Sequence, residues 1–312
     1  MLKQVMEILD ILDDARVNGE KVKEFLLRRG LENIHVEEVS GEAGKTDFIK
    51  IFVKGKKGKA SGGDAPTLGV IGRLGGIGAR PEMIGYVSDG DGAAAALSVA
   101  LKLADMNSKG DFLDGDVIIS THICPDAPTQ PHDPVPFMGS PVDMQMMNKM
   151  EVDPEMDAIL SIDTTKGNRI LNQRGIAITP TVKDGYILKV SDSLLDLMQI
   201  VTGKLPVVLP IVTQDITPYG NGLHHINSLV QPCTATSSPV VGVAITAETA
   251  VPGCATGASH EVDIELAARF ALEVAKAFGR KACEFFDEKE FELITRLYGS
   301  MEHLKTLGRK EM

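Results

Sequence analysis

Three consecutive stretches decide the fold: Leu68-Gly69-Val70-Ile71, then Ser88-Asp89-Gly90-Asp91-Gly92-Ala93-Ala94-Ala95-Ala96-Leu97 running on to Met106, then Val117-Ile118-Ile119-Ser120-Thr121. A short apolar run, a polar turn leading into a stretch rich in small helix formers from about Gly92 to Met106, and a second apolar run read as strand, helix, strand. The alternation continues outward. Strands are predicted at Ala158 to Ile162, Ile176 to Val182, Val207 to Val212 and Val240 to Ile245, and helices near Leu194 to Val201 and from Val262 to Phe278. That order predicts an α/β three-layer sandwich with a mainly parallel mixed sheet. Upstream, Leu2, Val5, Met6, Leu9 and Leu12 form one helical stripe, and a second helix runs from Glu20 to Arg29. Strands follow at 34–39 and 48–53, and the basic, Gly-rich stretch Lys54 to Gly63 reads as an exposed loop or linker. Residues 1–65 are therefore expected to pack on the core as an α+β unit, 66–285 to form the α/β domain, and 286–312 to supply a last helix.

Composition bounds the function. Of 312 residues, 43 are Asp or Glu against 32 Lys or Arg, a net charge of −11 with no basic block large enough to track a phosphate backbone, which argues against a nucleic-acid partner. No apolar run approaches the roughly 18 residues of a membrane span, and the amino terminus has no signal-peptide pattern. A cytoplasmic protein with no membrane partner is expected. Cys124, Cys233, Cys254 and Cys283 contain no C-x-x-C pair and read as free thiols. Aromatic residues are only 4% with no Trp, so Val, Ile, Leu, Ala and 13 Met must fill the core. Gly44-Lys45-Thr46 lacks the upstream Gly of a phosphate loop, and the glycines at 72, 75, 76 and 78 have the wrong spacing for a dinucleotide turn, so no nucleotide cofactor is expected.

Ligands of open parallel sheets bind beyond the carboxyl ends of the strands. Four such ends collect polar residues: Ser88 to Gly92, the run His122-Ile123-Cys124-Pro125-Asp126, Asp163 after Ile162, and Ser259-His260-Glu261. Oxygen, nitrogen and sulfur donors arriving from several directions are what a divalent metal requires. The loop from Cys124 to Pro141 carries six prolines and is expected to form a stiff wall of the pocket.

In their order along the chain these elements resemble the zinc exopeptidases, most closely the glutamyl-aminopeptidase or tetrahedral-aminopeptidase family, and the chain is also similar to a divergent prokaryotic family of like length with a degraded metal site. Asp89-Gly90-Asp91-Gly92-Ala93-Ala94-Ala95 resembles the family's Asp-containing turn into a small-residue helix. Ile162-Asp163-Thr164-Thr165 resembles its strand-ending Asp motif, and Ser259-His260-Glu261-Val262-Asp263 its late His motif. The resemblance implies one zinc or other divalent metal on Asp89, Asp163, His260 and Cys124, with His122 or Asp126 also open as ligands or as proton acceptors. The last role falls to them because the family's Glu-Glu pair lands on Cys124-Pro125 or Pro125-Asp126. Arg73 stands where the family has its first metal-binding His, and Gly75 replaces the neighbouring acid. Arg73 is therefore expected to set its guanidinium against Asp89 and Asp163 in place of a metal, with Asp91 and His225 also touching substrate. Two activities follow from the resemblance: a metal-dependent hydrolase of peptide or amide bonds, or a non-peptidase that binds a small amino-acid-like ligand in the inherited cleft. Either implies a small-molecule or peptide substrate and a homo-oligomer.

Overall fold

The computed structural model describes residues 1–73, 79–80, 85–125, 127–131, 133, 137–211, 223, 226–251 and 258–306. Its helices are α1 Leu2–Leu12, α2 Gly19–Arg28, α3 Asp91–Asn107, α4 Met144–Glu151, α5 Asp192–Thr202, α6 Glu261–Gly279 and α7 Glu288–Tyr298. The strands are β1 Ile34–Gly41, β2 Gly44–Val53, β3 Leu68–Gly72, β4 Ala79–Arg80, β5 Val117–Ile123, β6 Ala127–Gln130, β7 Phe137–Met138, β8 Ala158–Thr164, β9 Gly175–Ile178, β10 Val182–Lys183, β11 Tyr186–Ile187 and β12 Val240–Thr246. Polar side chains start the helices where the sequence supplies them: Asn18 accepts from the Lys21 N–H, Asp143 from Met146, Ser191 from Leu194 and Asp287 from Glu290.

The main sheet runs β1-β2-β5-β3-β8-β12-β10-β11, with β9 also paired to β12. Its centre, β5-β3-β8-β12, is parallel, and both flanks are antiparallel. β3, β5 and β12 are buried along their whole length, and β8 up to Asp163, as strands covered on both faces must be. One face carries α1, α3, α5 and α6, whose apolar residues share a cluster with Val70, Ile119, Leu160 and Val243. The other face, with Ile71, Ile118, Ile159 and Val240, lies under Val152 and the 3-10 segment Ser228–Thr234 that supplies Val230 and Cys233. This is the expected three-layer α/β architecture.

Three expectations change. Among the described residues of the run expected as a strand, 207–211, the pairing is a single bridge, Val208 to Ile178, because Pro206 and Pro210 remove two backbone donors from it. The Gly-rich stretch after residue 54 is a loop but not a linker. Buried Asp116 accepts N–H bonds from Gly55 and Ala60, and a Cβ on Gly58 would lie 2.1 Å from that carboxylate. The last helix ends at Tyr298, with a separate 3-10 turn at Glu302–Lys305.

Glycine fixes the approach of α3 to the sheet. A Cβ on Gly92 would stand 2.5 Å from the Ile162 carbonyl and 2.8 Å from that of Arg73, so only glycine lets the helix start press on the ends of β3 and β8. That contact sets the height of the Asp89 to Asp91 turn.

Candidate functional site

The turn Ser88–Gly90 enters α3 beside the end of β8, and the Thr164 hydroxyl donates to the Ser88 carbonyl at 2.9 Å. On the far side, the Ser259 hydroxyl, next to His260, donates to Asp91 Oδ1 at 2.6 Å. The turn carrying Asp89, the end of β8 carrying Asp163 and the segment carrying His260 therefore lie near one another at the carboxyl ends of the central strands.

Asp91 is completely buried and fully engaged. Oδ1 also accepts from the Tyr86 hydroxyl at 3.1 Å, and Oδ2 from Lys166 Nζ at 3.2 Å. Burial pushes its carboxyl up to about 6 against the opposing pull of the Lys166 charge. Lys166 itself has φ 52°, a left-handed conformation uncommon for a side-chain-bearing residue. Its N–H and that of Thr165 both reach the Ile245 carbonyl, so the strained turn is pinned to the end of β12.

Asp89 differs. Its Oδ2 accepts from the Met138 N–H at 3.0 Å, while Oδ1 carries no hydrogen bond among the described residues. Burial raises this carboxyl to about 6 as well, opposed by the Met138 N–H and then by the Lys166 charge. Asp163 is buried and accepts from the Thr164 N–H at 2.7 Å. His260 begins α6 half-exposed, with Nδ1 3.9 Å from Asp263.

The expectation for Arg73 is corrected. On β3 odd-numbered side chains face the α4 side, and Arg73, 1% exposed, places Nη1 2.6 Å from Glu151 Oε2 and 2.8 Å from Asn148 Oδ1, with Met144 Sδ beside Nη2. Its guanidinium forms no hydrogen bond or ion pair with Asp89 or Asp163, so it does not stand in for a metal between them. The fixed cation facing the acids is Lys166, which the sequence reading missed. Its signal is modest: a lysine followed by glycine just past the Asp163 strand end. Asp91, expected to touch substrate, is instead saturated by protein partners. Cys124 is buried against Val87, Ala127 and Met138, with Sγ 3.6 Å from the Lys45 carbonyl. Cys233 and Cys283 are free, as expected. Asp126, His225 and Cys254 lie outside the described residues.

Glu151 is the other residue missed. It follows Met144, Met147 and Asn148 at helical spacing, and polar residues on such a stripe are the trace of a buried network.

The donors fit a metal poorly. Asp91 is spent on Lys166, Tyr86 and Ser259, the Lys166 ammonium would repel a dication, and no three His, Cys, Asp or Glu residues among those described converge as ligands.

The class this architecture defines is an α/β sandwich with a polar site at the carboxyl edge of a parallel centre. Residues 37–308 match the model of the family described as a protein of unknown function, DUF1177, and the chain belongs to that family. No curated protein matches it. Among solved structures it is similar to the LapA aminopeptidase of Legionella pneumophila, at 12% identity and TM-score 0.44, covering 92% of this chain and 72% of the other. It is also similar to a glutaminyl cyclase from an Acidobacteriales bacterium, at 11% identity and TM-score 0.49, covering 90% and 94%.

Proposed function

We propose that the chain is hydrolase-like and holds an amino-acid-like ligand at the carboxyl edge of β3, β8 and β12, with the ligand's ammonium on Asp89. One observation carries the reading: Asp89 is a buried carboxyl pinned through Oδ2 while Oδ1 has no hydrogen-bond partner among the described residues. A buried acid with a spare oxygen gains most from a charge-assisted donor. Asp91 and Lys166 already compensate each other, so Asp89 supplies the negative charge a ligand would meet.

The test is calorimetric titration of wild type and Asp89→Asn with free amino acids, dipeptides and their N-acetyl derivatives. Binding should require the free amino group and fall at least about tenfold in the variant, the worth of one charge-assisted bond. Stoichiometric, Asp89-dependent zinc uptake accompanied by dipeptide cleavage would replace this reading with the metal-dependent hydrolase.

A further inference from the structure

Lys166 is an ammonium that its protein partners do not saturate. It carries three N–H donors, and among the described residues Asp91 Oδ2 alone accepts from it, at 3.2 Å. Its place beside Asp89 is set by contacts at both ends of the Asp89 turn. Two residues before Lys166, the Thr164 hydroxyl donates to the Ser88 carbonyl at 2.9 Å, and Lys166 Nζ itself reaches Asp91. Asp89 lies between those two fastened residues. Burial raises its carboxyl to about 6, and the Lys166 charge, after the Met138 N–H, acts against that rise. Exposure then separates the three residues. None of Asp91 is open to solvent, whereas Asp89 keeps 8% of its surface and Lys166 7%. The surface that a ligand can meet belongs to Asp89 and Lys166.

The backbone that carries the lysine is held from several sides. Besides the two N–H groups on the Ile245 carbonyl, the Thr246 hydroxyl donates to the Lys166 carbonyl at 3.4 Å, and the Gly167 N–H reaches the Thr249 carbonyl at 3.0 Å. A Cβ on Gly167 would stand 2.6 Å from the Ala247 carbonyl oxygen. A left-handed residue persists only where its surroundings over-determine it, and such residues gather at ligand sites.

The spare capacity is of two opposite kinds: Asp89 Oδ1 accepts, and two Lys166 N–H groups donate. Only Gly90 separates the two acids in the chain, so a ligand that satisfies both presents an ammonium and an oxygen acceptor within one amino-acid unit. That acceptor is a neutral carbonyl or a carboxylate, and charge decides between them. Asp89 and Asp91 outnumber Lys166, and Asp163 at the end of β8 adds to the same sign. His122 brings no compensating charge to this group, since it is buried with Glu151, Nδ1 standing 3.3 Å from Oε1. A ligand ammonium balances Asp89, Asp91 and Lys166; a carboxylate beside it would undo that balance in a buried place.

We infer that Lys166 is a specificity-determining residue of the Asp89 site, donating to the carbonyl oxygen of a ligand whose ammonium sits on Asp89. The site therefore selects α-amino amides over simple amines and over free amino acids. The inference rests on the proposed reading, an amino-acid-like ligand held at Asp89, and adds the group that reads the ligand's acyl end.

The experiment is calorimetric titration with matched probes built on glycine, leucine and phenylalanine. Each is supplied as the amino-acid amide, the free acid, the amine that lacks the acyl group, and the N-acetyl amide. In wild type the amide should bind at least about tenfold more tightly than the amine, the worth of a hydrogen bond to a charged donor. It should also bind at least about tenfold more tightly than the free acid, and the N-acetyl amide should not bind. Lys166→Met alone strands the buried Asp91 charge, so the lysine is removed together with that charge in Lys166→Met/Asp91→Asn. In the double variant amide and amine should bind within about threefold of each other. Asp89→Asn should weaken both alike and keep their ratio. The wild-type comparison decides the matter whether or not the double variant folds.

Amide and amine that bind wild type equally overturn the inference and leave the ammonium on Asp89. So does a free acid that binds as tightly as the amide, or an amide-to-amine ratio unchanged in the folded double variant. Binding that needs the carbonyl and Lys166 but ignores Asp89→Asn removes the Asp89 reading and leaves the lysine's role standing. If no probe binds, both fall.

Discussion

Asp89 and Asp91 lie two residues apart and do different work because their partners differ. Among the described residues Asp91 hydrogen-bonds to a lysine, a tyrosine and a serine, whereas Asp89 hydrogen-bonds to one backbone N–H. Both carboxyls are raised to about 6 from 3.8, so between those values the folded protein holds protons that the unfolded chain has released. The stability this contributes is complete below about pH 4 and is lost as the pH rises through about 6. Asp89→Asn keeps an acceptor for Met138 and removes that loss. The variant should gain on wild type between pH 4 and pH 7, with a ceiling on the order of 3 kcal/mol, as measured by urea unfolding at each pH. Lys166→Met should act oppositely at pH 7, costing about 3–5 kcal/mol because Asp91 keeps its burial and loses its cation; a change below about 0.5 kcal/mol would remove the pairing argument. The strand-end acids are conspicuous in the sequence because their polarity stands out after apolar runs. Lys166 and Glu151 are not, because a long side chain reaches partners far away in sequence. Arg73 misled for a related reason: its position in the chain matched a ligand, but the alternation of β3 turns it toward α4.

At the scale of elements, α1, α2, α3, α5 and α6 were readable from helical spacing within a residue or two. The strand expected after Leu205 was not, since two prolines outweigh apolar character in deciding whether a ladder forms. The start of α3 depends on close backbone approach, which no periodicity reports. Gly92→Ala should push the Asp89 turn away from β3 and β8, lowering stability by about 1–3 kcal/mol and weakening amino-acid binding together with it; loss of stability alone would show that the turn moves independently of the helix. The hold on α4 is testable by a double-mutant cycle. Arg73→Met alone should cost about 3–5 kcal/mol, whereas Arg73→Met/Glu151→Leu should recover much of that, because the second change removes the stranded charge. Equal losses in the single and double variants would mean that packing, not charge, fastens α4.

At the scale of the molecule, the α/β class followed from the order of runs after residue 68, and the antiparallel flanks did not. β2 pairs along β5, and Val5, Ile8, Leu12, Val22 and Leu26 share one core with α3 and α6. Deleting residues 1–31 should therefore leave a chain without a cooperative thermal transition by circular dichroism. A sharp transition near that of the full chain would show that the first two helices are dispensable.

The strand order β5-β3-β8 also governs how the protein is made. β3 leaves the ribosome before both strands that will flank it, and its second edge stays unpaired until residue 164 has been synthesised. At roughly 5–20 residues per second, a short apolar strand waits for seconds with open hydrogen-bonding edges. During that interval the nascent chain offers a binding segment to holding chaperones, and slow codons before residue 164 would lengthen the wait.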